Sequence, residues 1–226
     1  MIEGCEVTAP DNYRQVLRRV GVVLVVVGAL DIGLMVYCIS TGRSYSSSFN
    51  IFALVAGILL VRGSLRTVRW VVFFAAFMGT ALAGLVVLWP LIQPAEYWRE
   101  MLRFHPIGLT LSVVLGLSLI TLLAWVYREL RRPVVTAARA SAGQTPSPPY
   151  LAFVVGLALP MFLGTMMYIE FNGASGKKAV ELARVQCGAG YDFYVSALES
   201  AGPHHWATVS AFNRDSEKEV RVEWEE

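Results

Sequence analysis

Long apolar runs punctuated by arginines constrain this chain more than any other feature. Runs at 20–40, 70–92, 107–127 and 150–169 each match the roughly 20 residues that a helix needs to cross a bilayer. The arginines fall on alternate sides of them. Arg14, Arg18 and Arg19 precede the first run, and Arg62, Arg66 and Arg69 precede the one at 70–92. Arg128, Arg131, Arg132 and Arg139 precede the last. The intervening loops hold Arg43 alone, or Arg99 and Arg103 offset by Glu96 and Glu100. Loop arginines set membrane orientation. The bias predicts a cytoplasmic N-terminus and a C-terminal segment on the far side, most simply across a bacterial inner membrane.

This alternation requires a further crossing at 45–61. Its apolar part, 49–61, has about 13 residues and rises only about 20 Å as a helix. Residues 44–48 extend it, since serine hydroxyls satisfy helix carbonyls, and Arg62 can snorkel at the other end. A re-entrant segment is the alternative reading, but it would leave Arg62, Arg66 and Arg69 outside. The expected fold class is therefore a mostly α membrane protein. A five-transmembrane-helix bundle is followed by a small extracytoplasmic α+β domain.

Composition supports the bilayer. The chain is 55% hydrophobic and 16% charged, against about 25% charged in ordinary soluble domains. The first apolar run is expected to act as an uncleaved anchor. No clustered basic face suits nucleic acid. Cys5, Cys38 and Cys187 are too scattered for a metal site or a disulfide framework, which leaves pairing of Cys187 with a partner's cysteine as its one sharper reading.

Three regions follow: a cytoplasmic amphipathic lead at 1–19, the bundle at 20–170, and the outer domain at 171–226. Within the bundle, the outer loop that holds Glu96, Arg99, Glu100 and Arg103 at helical spacing reads as a short interfacial helix in which these charges pair. The stretch 138–149, ARASAGQTPSPP, reads as an irregular linker. FNGASG at 171–176 reads as a hinge-like breaker. Residues 175–186 predict a helix that ends at Gly188 and Gly190. Strands are predicted at 191–198, 204–213 and 218–225. In the last, Val220, Val222 and Trp224 alternate with Glu219, Arg221, Glu223 and Glu225. The expected domain is one helix on a three-stranded antiparallel meander, near the size limit for a self-sufficient core.

Asp31 is the sharpest single residue. A carboxylate near the middle of a span costs about 2.5–3.5 kcal/mol on insertion scales. Proton or cation handling is one reading. The plainer one is a packing role, hydrogen-bonded to Thr80, Ser112, Ser118, Thr121 or Thr165. Ala152, Gly156, Pro160 and Gly164 recur at steps of four and make a narrow helix face, and Ala76, Gly79 and Ala83 make another, with Ser112 and Gly116 on the 107–127 run. These faces serve packing within the bundle, with a partner or homodimer seam as the alternative. Pro160 is expected to kink its span. His204 and His205 are neighbours on a strand and point to opposite faces, so they chelate poorly, and no ligand spacing predicts a metal. No cofactor motif occurs.

Three functions remain. The first is a non-enzymatic interaction or assembly protein. Its outer domain would present Tyr191, Phe193, Tyr194, Trp206, Phe212 and Trp224, more aromatics than one sheet face buries, to another membrane or extracytoplasmic protein. The second is a small transporter or channel subunit using Asp31. The third is a membrane enzyme acting at the outer interface through Glu96, Glu100 or His105.

Overall fold

A computed structural model describes residues 10–42, 50–93, 95–104, 106–144, 148–188, 190–213 and 216–225. The described chain is mostly helical, with a small three-stranded antiparallel sheet at its C-terminal end. Its elements are α1 (Pro10–Ser40), α2 (Asn50–Val61), α3 (Leu65–Ile92), α4 (Ala95–Phe104), α5 (Pro106–Leu130), α6 (Pro133–Ser141), α7 (Tyr150–Asn172), α8 (Ala174–Cys187), β1 (Asp192–Ala201), β2 (His204–Phe212) and β3 (Glu217–Glu225). Four helical segments are long and apolar enough to cross a membrane: Asn12–Ser40, Leu65–Pro90, Pro106–Leu130 and Tyr150–Asn172. A shorter apolar helix, Ile51–Val61, joins them.

The chain divides into two compact units, with boundaries inside α3, α5 and α7. One comprises Met1–Gly79 and Ile120–Val155, the other Thr80–Leu119 and Gly156–Glu226.

In the first unit, α1 and α2 form a hairpin whose buried faces follow the helical period. Leu17, Val20, Gly21, Leu24 and Gly28 face inward on α1, and Ala53, Ala56, Gly57 and Leu60 do so on α2. The helices meet at glycines. A Cβ on Gly21 would lie 2.7 Å from the Gly57 carbonyl oxygen, and one on Gly57 would lie 2.8 Å from that of Gly21. Only hydrogen fits there, so backbone meets backbone. The rest of the unit's buried apolar core comes from Val68, Val71, Val72, Ala75 and Ala76 of α3, Leu123, Val126 and Leu130 of α5, Val135 of α6 and Ala152 of α7.

α6 corrects the expected irregular linker. Pro133 occupies the first turn, where its fixed φ suits a helix and its missing N–H is not needed. Alanine-rich PVVTAARAS then propagates well, and Gly143, at φ 73°, follows the end. Only 142–144 and 148–149 of that linker are non-helical among the described residues. The described part of the lead is helical from Pro10 and continuous with the first span.

In the second unit, α7 runs helically through Pro160, and Pro160 fills the space that Gly84 leaves on α3. A Cβ on Gly84 would sit 2.8 Å from the proline Cγ. α7 and α8 are separated by one residue. Gly173 caps α8, and a Cβ on Gly176 would collide with the Phe171 carbonyl oxygen, so the predicted hinge is a packed corner. The sheet is a meander in the order β1-β2-β3, with a bulge between Val195 and Ala197. One face packs on α8 through Ala179, Ala183, Val195, Ala207, Val209, Val222 and Trp224.

Candidate functional site

The outward face of the sheet is unlike at its two ends. At the Asp192 end α4 supplies Tyr97, whose ring lies 4.9 Å from Tyr194 and 6.1 Å from Phe212. Phe171 meets Tyr194 edge-on at 6.4 Å. Burial here raises the Tyr194 phenol above its usual pKa, partly opposed by a hydrogen bond with Gln93. At the same end, outside this packing, Tyr191 OH lies 3.3 Å from Ser216 Oγ, with Lys218 5.5 Å from its ring. Bonds to Ser216 and Lys218 hold the Tyr191 phenol below its usual pKa.

The opposite end is open. β1 turns into β2 through Gly202, at φ 64°, a conformation that suits glycine. Cross-strand register then lines up Glu199, Trp206 and Glu223 in one row, with Ala201, His204 and Glu225 in the next. Trp206 Nε1 donates to Glu199 Oε2 at 2.6 Å, which fixes the indole on the sheet. His204 Nδ1 sits 3.1 Å from Glu225 Oε1, and Arg221 Nε sits 3.4 Å from Glu223 Oε1. Trp206, His204, Arg221, Glu223 and Glu225, with Ala201, His205 and Trp224, line an open groove of about 510 Å³. It offers an aromatic surface in an acidic setting. Among the described residues it holds no nucleophile–base pair, and no three His, Cys, Asp or Glu side chains converge on a metal position.

The aromatic set read from sequence therefore divides. Phe212, 4% exposed, and Trp224, 9% exposed, are interior and leave the surface set. Phe193 lies half-buried beside the α8 core, and Tyr194 is half-covered by α4. Trp206 and the largely buried Trp224 line the open groove, and Tyr191 stays at the other end. His204 and His205 separate as strand neighbours should: His205 stacks on Trp224, 5.5 Å between centroids.

The small-residue faces turn inward. Ala152, Gly156 and Pro160 are buried and Gly164 is half-buried; Ala76 is buried, with Gly79 and Ala83 half-buried. The seam that sequence reading missed is Gly21 against Gly57. α2 carries a small-residue step of four, Ala53 to Gly57, but on α1 the residues four away from Gly21 are Leu17 and Val25, so only one side of the seam shows the pattern.

Asp31 is half-buried on α1. The hydroxyls of Ser112, Ser118 and Thr165, three of its expected partners, donate to carbonyls of their own helices. The hairpin register points elsewhere. Gly21 approaches Gly57 and Val61, and Gly57 approaches Val25, so the helices are antiparallel. Continuing that register at equal rise brings the first turn of α2 to about the level of Asp31. A helix start carries N–H groups without intrahelical partners and the positive end of a dipole, both of which favour a carboxylate.

His105, Arg43 and the serines of 44–48 lie outside the described residues, as do the side chains of Glu96 and Glu100. Cys38 and Cys187 are free thiols, each half-buried. Comparison with known protein families, curated proteins and solved structures finds no match to this chain.

Proposed function

We propose that this chain is a non-enzymatic interaction or assembly protein that displays α8 and the sheet outside the cytoplasm and receives a protein partner in the groove beside Trp206. The partner would be another membrane or extracytoplasmic protein. The groove itself carries the proposal. An indole fixed by Glu199 and flanked by Glu223 and Glu225 fits a basic segment with an apolar side chain: tryptophans anchor interfaces, and complementary charge selects the partner. The sheet edges suit strand addition less well, because β1 is bulged and β3 alternates charges, both of which discourage edge pairing.

Five crossings are part of this proposal, with α2 as the short one. Two observations support it. Arg14, Arg18, Arg19, Arg62, Arg66, Arg69, Arg128, Arg131, Arg132 and Arg139 fall in one compact unit together with a single arginine of the outer loops, Arg43, and loop arginines favour the cytoplasmic side. The apolar surface is also too large for water. Ile107 is 82% exposed, and residues 106–119 of α5 contain no buried position. A bacterial inner membrane suits this orientation.

A photo-crosslinking residue placed at Trp206 or Arg221 of the full chain, expressed in its membrane, tests the interaction. The expected result is an adduct to one defined protein, lost when Glu199, Glu223 and Glu225 are neutralised while the domain stays folded. An adduct indifferent to those charges, or none at either position, overturns the reading. A reporter fused after Glu226 that works only outside the cytoplasm tests the orientation.

A further inference from the structure

A second cavity, in the other unit, has a different chemistry. It measures about 410 Å³, within the usual range of small-ligand sites. Its walls come from α3, α6 and the start of α7. Trp70, Phe73, Pro149 and Tyr150 supply much of the apolar surface, and among the described residues its charged lining residues are Arg69 and Arg139.

Arg139 is the unusual one. It lies four residues after Val135 on α6, so the two share an inward face, and it is 5% exposed. Its Nε donates to Gln144 Oε1 at 3.3 Å, which leaves the terminal nitrogens of the fork available to a ligand. Burying a guanidinium is costly unless an anion accompanies it. Among the described residues no carboxylate forms an ion pair with Arg69 or Arg139. Glu129 of α5 instead accepts from Arg132 at 2.8 Å. Burial, then the charges of Arg69 and Arg131, hold the Arg139 pKa below its usual value, so positive potential collects here without a counter-charge.

We infer that this cavity binds a phosphate group, held by Arg69 and Arg139, with its organic part against Trp70 and Tyr150. Guanidinium forks match phosphate oxygens in pairs, which a lysine ammonium does not. Trp70 is 69% and Tyr150 72% exposed, so both rings are available to the rest of the ligand. An anionic lipid headgroup and a soluble phosphate compound share this chemistry.

The test uses the full chain in neutral detergent micelles with three probes: short-chain phosphatidylglycerol, phosphatidylcholine with the same tails, and inorganic phosphate. Native mass spectrometry reads retained lipid, and thermal unfolding reads all three. Wild type is expected to bind phosphatidylglycerol in preference to phosphatidylcholine. The R69Q/R139Q variant should bind it about tenfold or more weakly. R62Q/R66Q, which removes two exposed arginines outside the cavity, should bind as wild type does. Stabilisation by inorganic phosphate that R69Q/R139Q abolishes identifies a soluble source, and a response to phosphatidylglycerol alone identifies a lipid. If R69Q/R139Q does not fold, R69Q and the wild-type lipid preference decide. The inference is overturned if wild type shows no such preference and no response to phosphate, or if R62Q/R66Q loses as much binding as R69Q.

Discussion

Replacing Gly57 by alanine isolates the close contact between α1 and α2. The added Cβ would stand 2.8 Å from the Gly21 carbonyl oxygen, 2.8 Å from Val25 Cγ2 and 2.9 Å from the Val25 nitrogen. The valine methyl can rotate, but the two backbone atoms cannot. Restoring ordinary contact opens the hairpin by about 0.6 Å, and gaps of about 0.5–1 Å forfeit a quarter to a half of each dispersion well they cross. Overpacking of this kind costs about 1–3 kcal/mol. Alanine also raises helix propensity by about 0.5–1 kcal/mol over glycine, so the variant needs a reference that shares this gain. Gly33 supplies it: it lies on α1, and a Cβ there meets nothing within 4 Å. The expected result in reversible unfolding from mixed micelles is that G57A is less stable than G33A by about 1–3 kcal/mol. The double variant G21A/G57A should cost less than the sum of its parts, because both open the same crossing. Equal stability of G57A and G33A would refute backbone contact as the basis of the hairpin.

The second unit has its own crossing. Gly84→Ala should destabilise by about 1–3 kcal/mol, and Pro160→Ala, which removes the offending Cγ, should recover part of that loss in the same unfolding assay. The tyrosines at the Asp192 end predict opposite pH dependences. Tyr194 holds its proton longer folded than unfolded, so its contribution falls as pH rises through the unfolded value of about 10. Tyr191 ionises earlier folded than unfolded, so its contribution grows as pH rises toward that same value. Phenolate absorbance titrations of Y191F and Y194F should remove the early and the late transition respectively; the reverse assignment would refute the geometry. If Asp31 serves the first turn of α2, Asp31→Leu should cost about 0.5–2 kcal/mol, and Asp31→Asn, which still accepts a hydrogen bond, should keep most of that. A loss as large in Asp31→Asn, or a loss confined to an ion flux, would favour charge over packing.

What could be read in advance follows from how local each signal is. The sheet was legible because Val220, Val222 and Trp224 alternate with charges, and a period of two is a property of the strand itself. The long helices were legible by length. α6 was not, because residues 138–141 read together with the prolines at 146, 148 and 149 as one irregular linker, and with α6 went the burial of Arg139. The same limit governs Phe212 and Trp224. Their aromatic character is written in the sequence, but whether α4 or α8 covers them depends on packing between distant segments. Trp206 stays open because no helix reaches that end of its face.

The two candidate sites use charge in opposite ways, and burial explains the difference. At the sheet groove the carboxylates already have partners: Glu199 holds Trp206, Glu225 meets His204, and Glu223 meets Arg221. Exposed pairs of this kind contribute little to stability and exchange readily, so a basic partner can displace them at small cost, which suits a selective, reversible encounter. Arg139 has no such exchange available. Removed from water and set near Arg69 and Arg131, its charge weakens the unit until an anion arrives, and any anion that binds stabilises the folded chain through linkage. A ligand at the arginine cavity should therefore raise the unfolding temperature of the whole unit, whereas a partner at the groove should leave the bundle's stability nearly unchanged. If the ranking came out reversed, the groove would be a structural interface and the arginines a solvated surface.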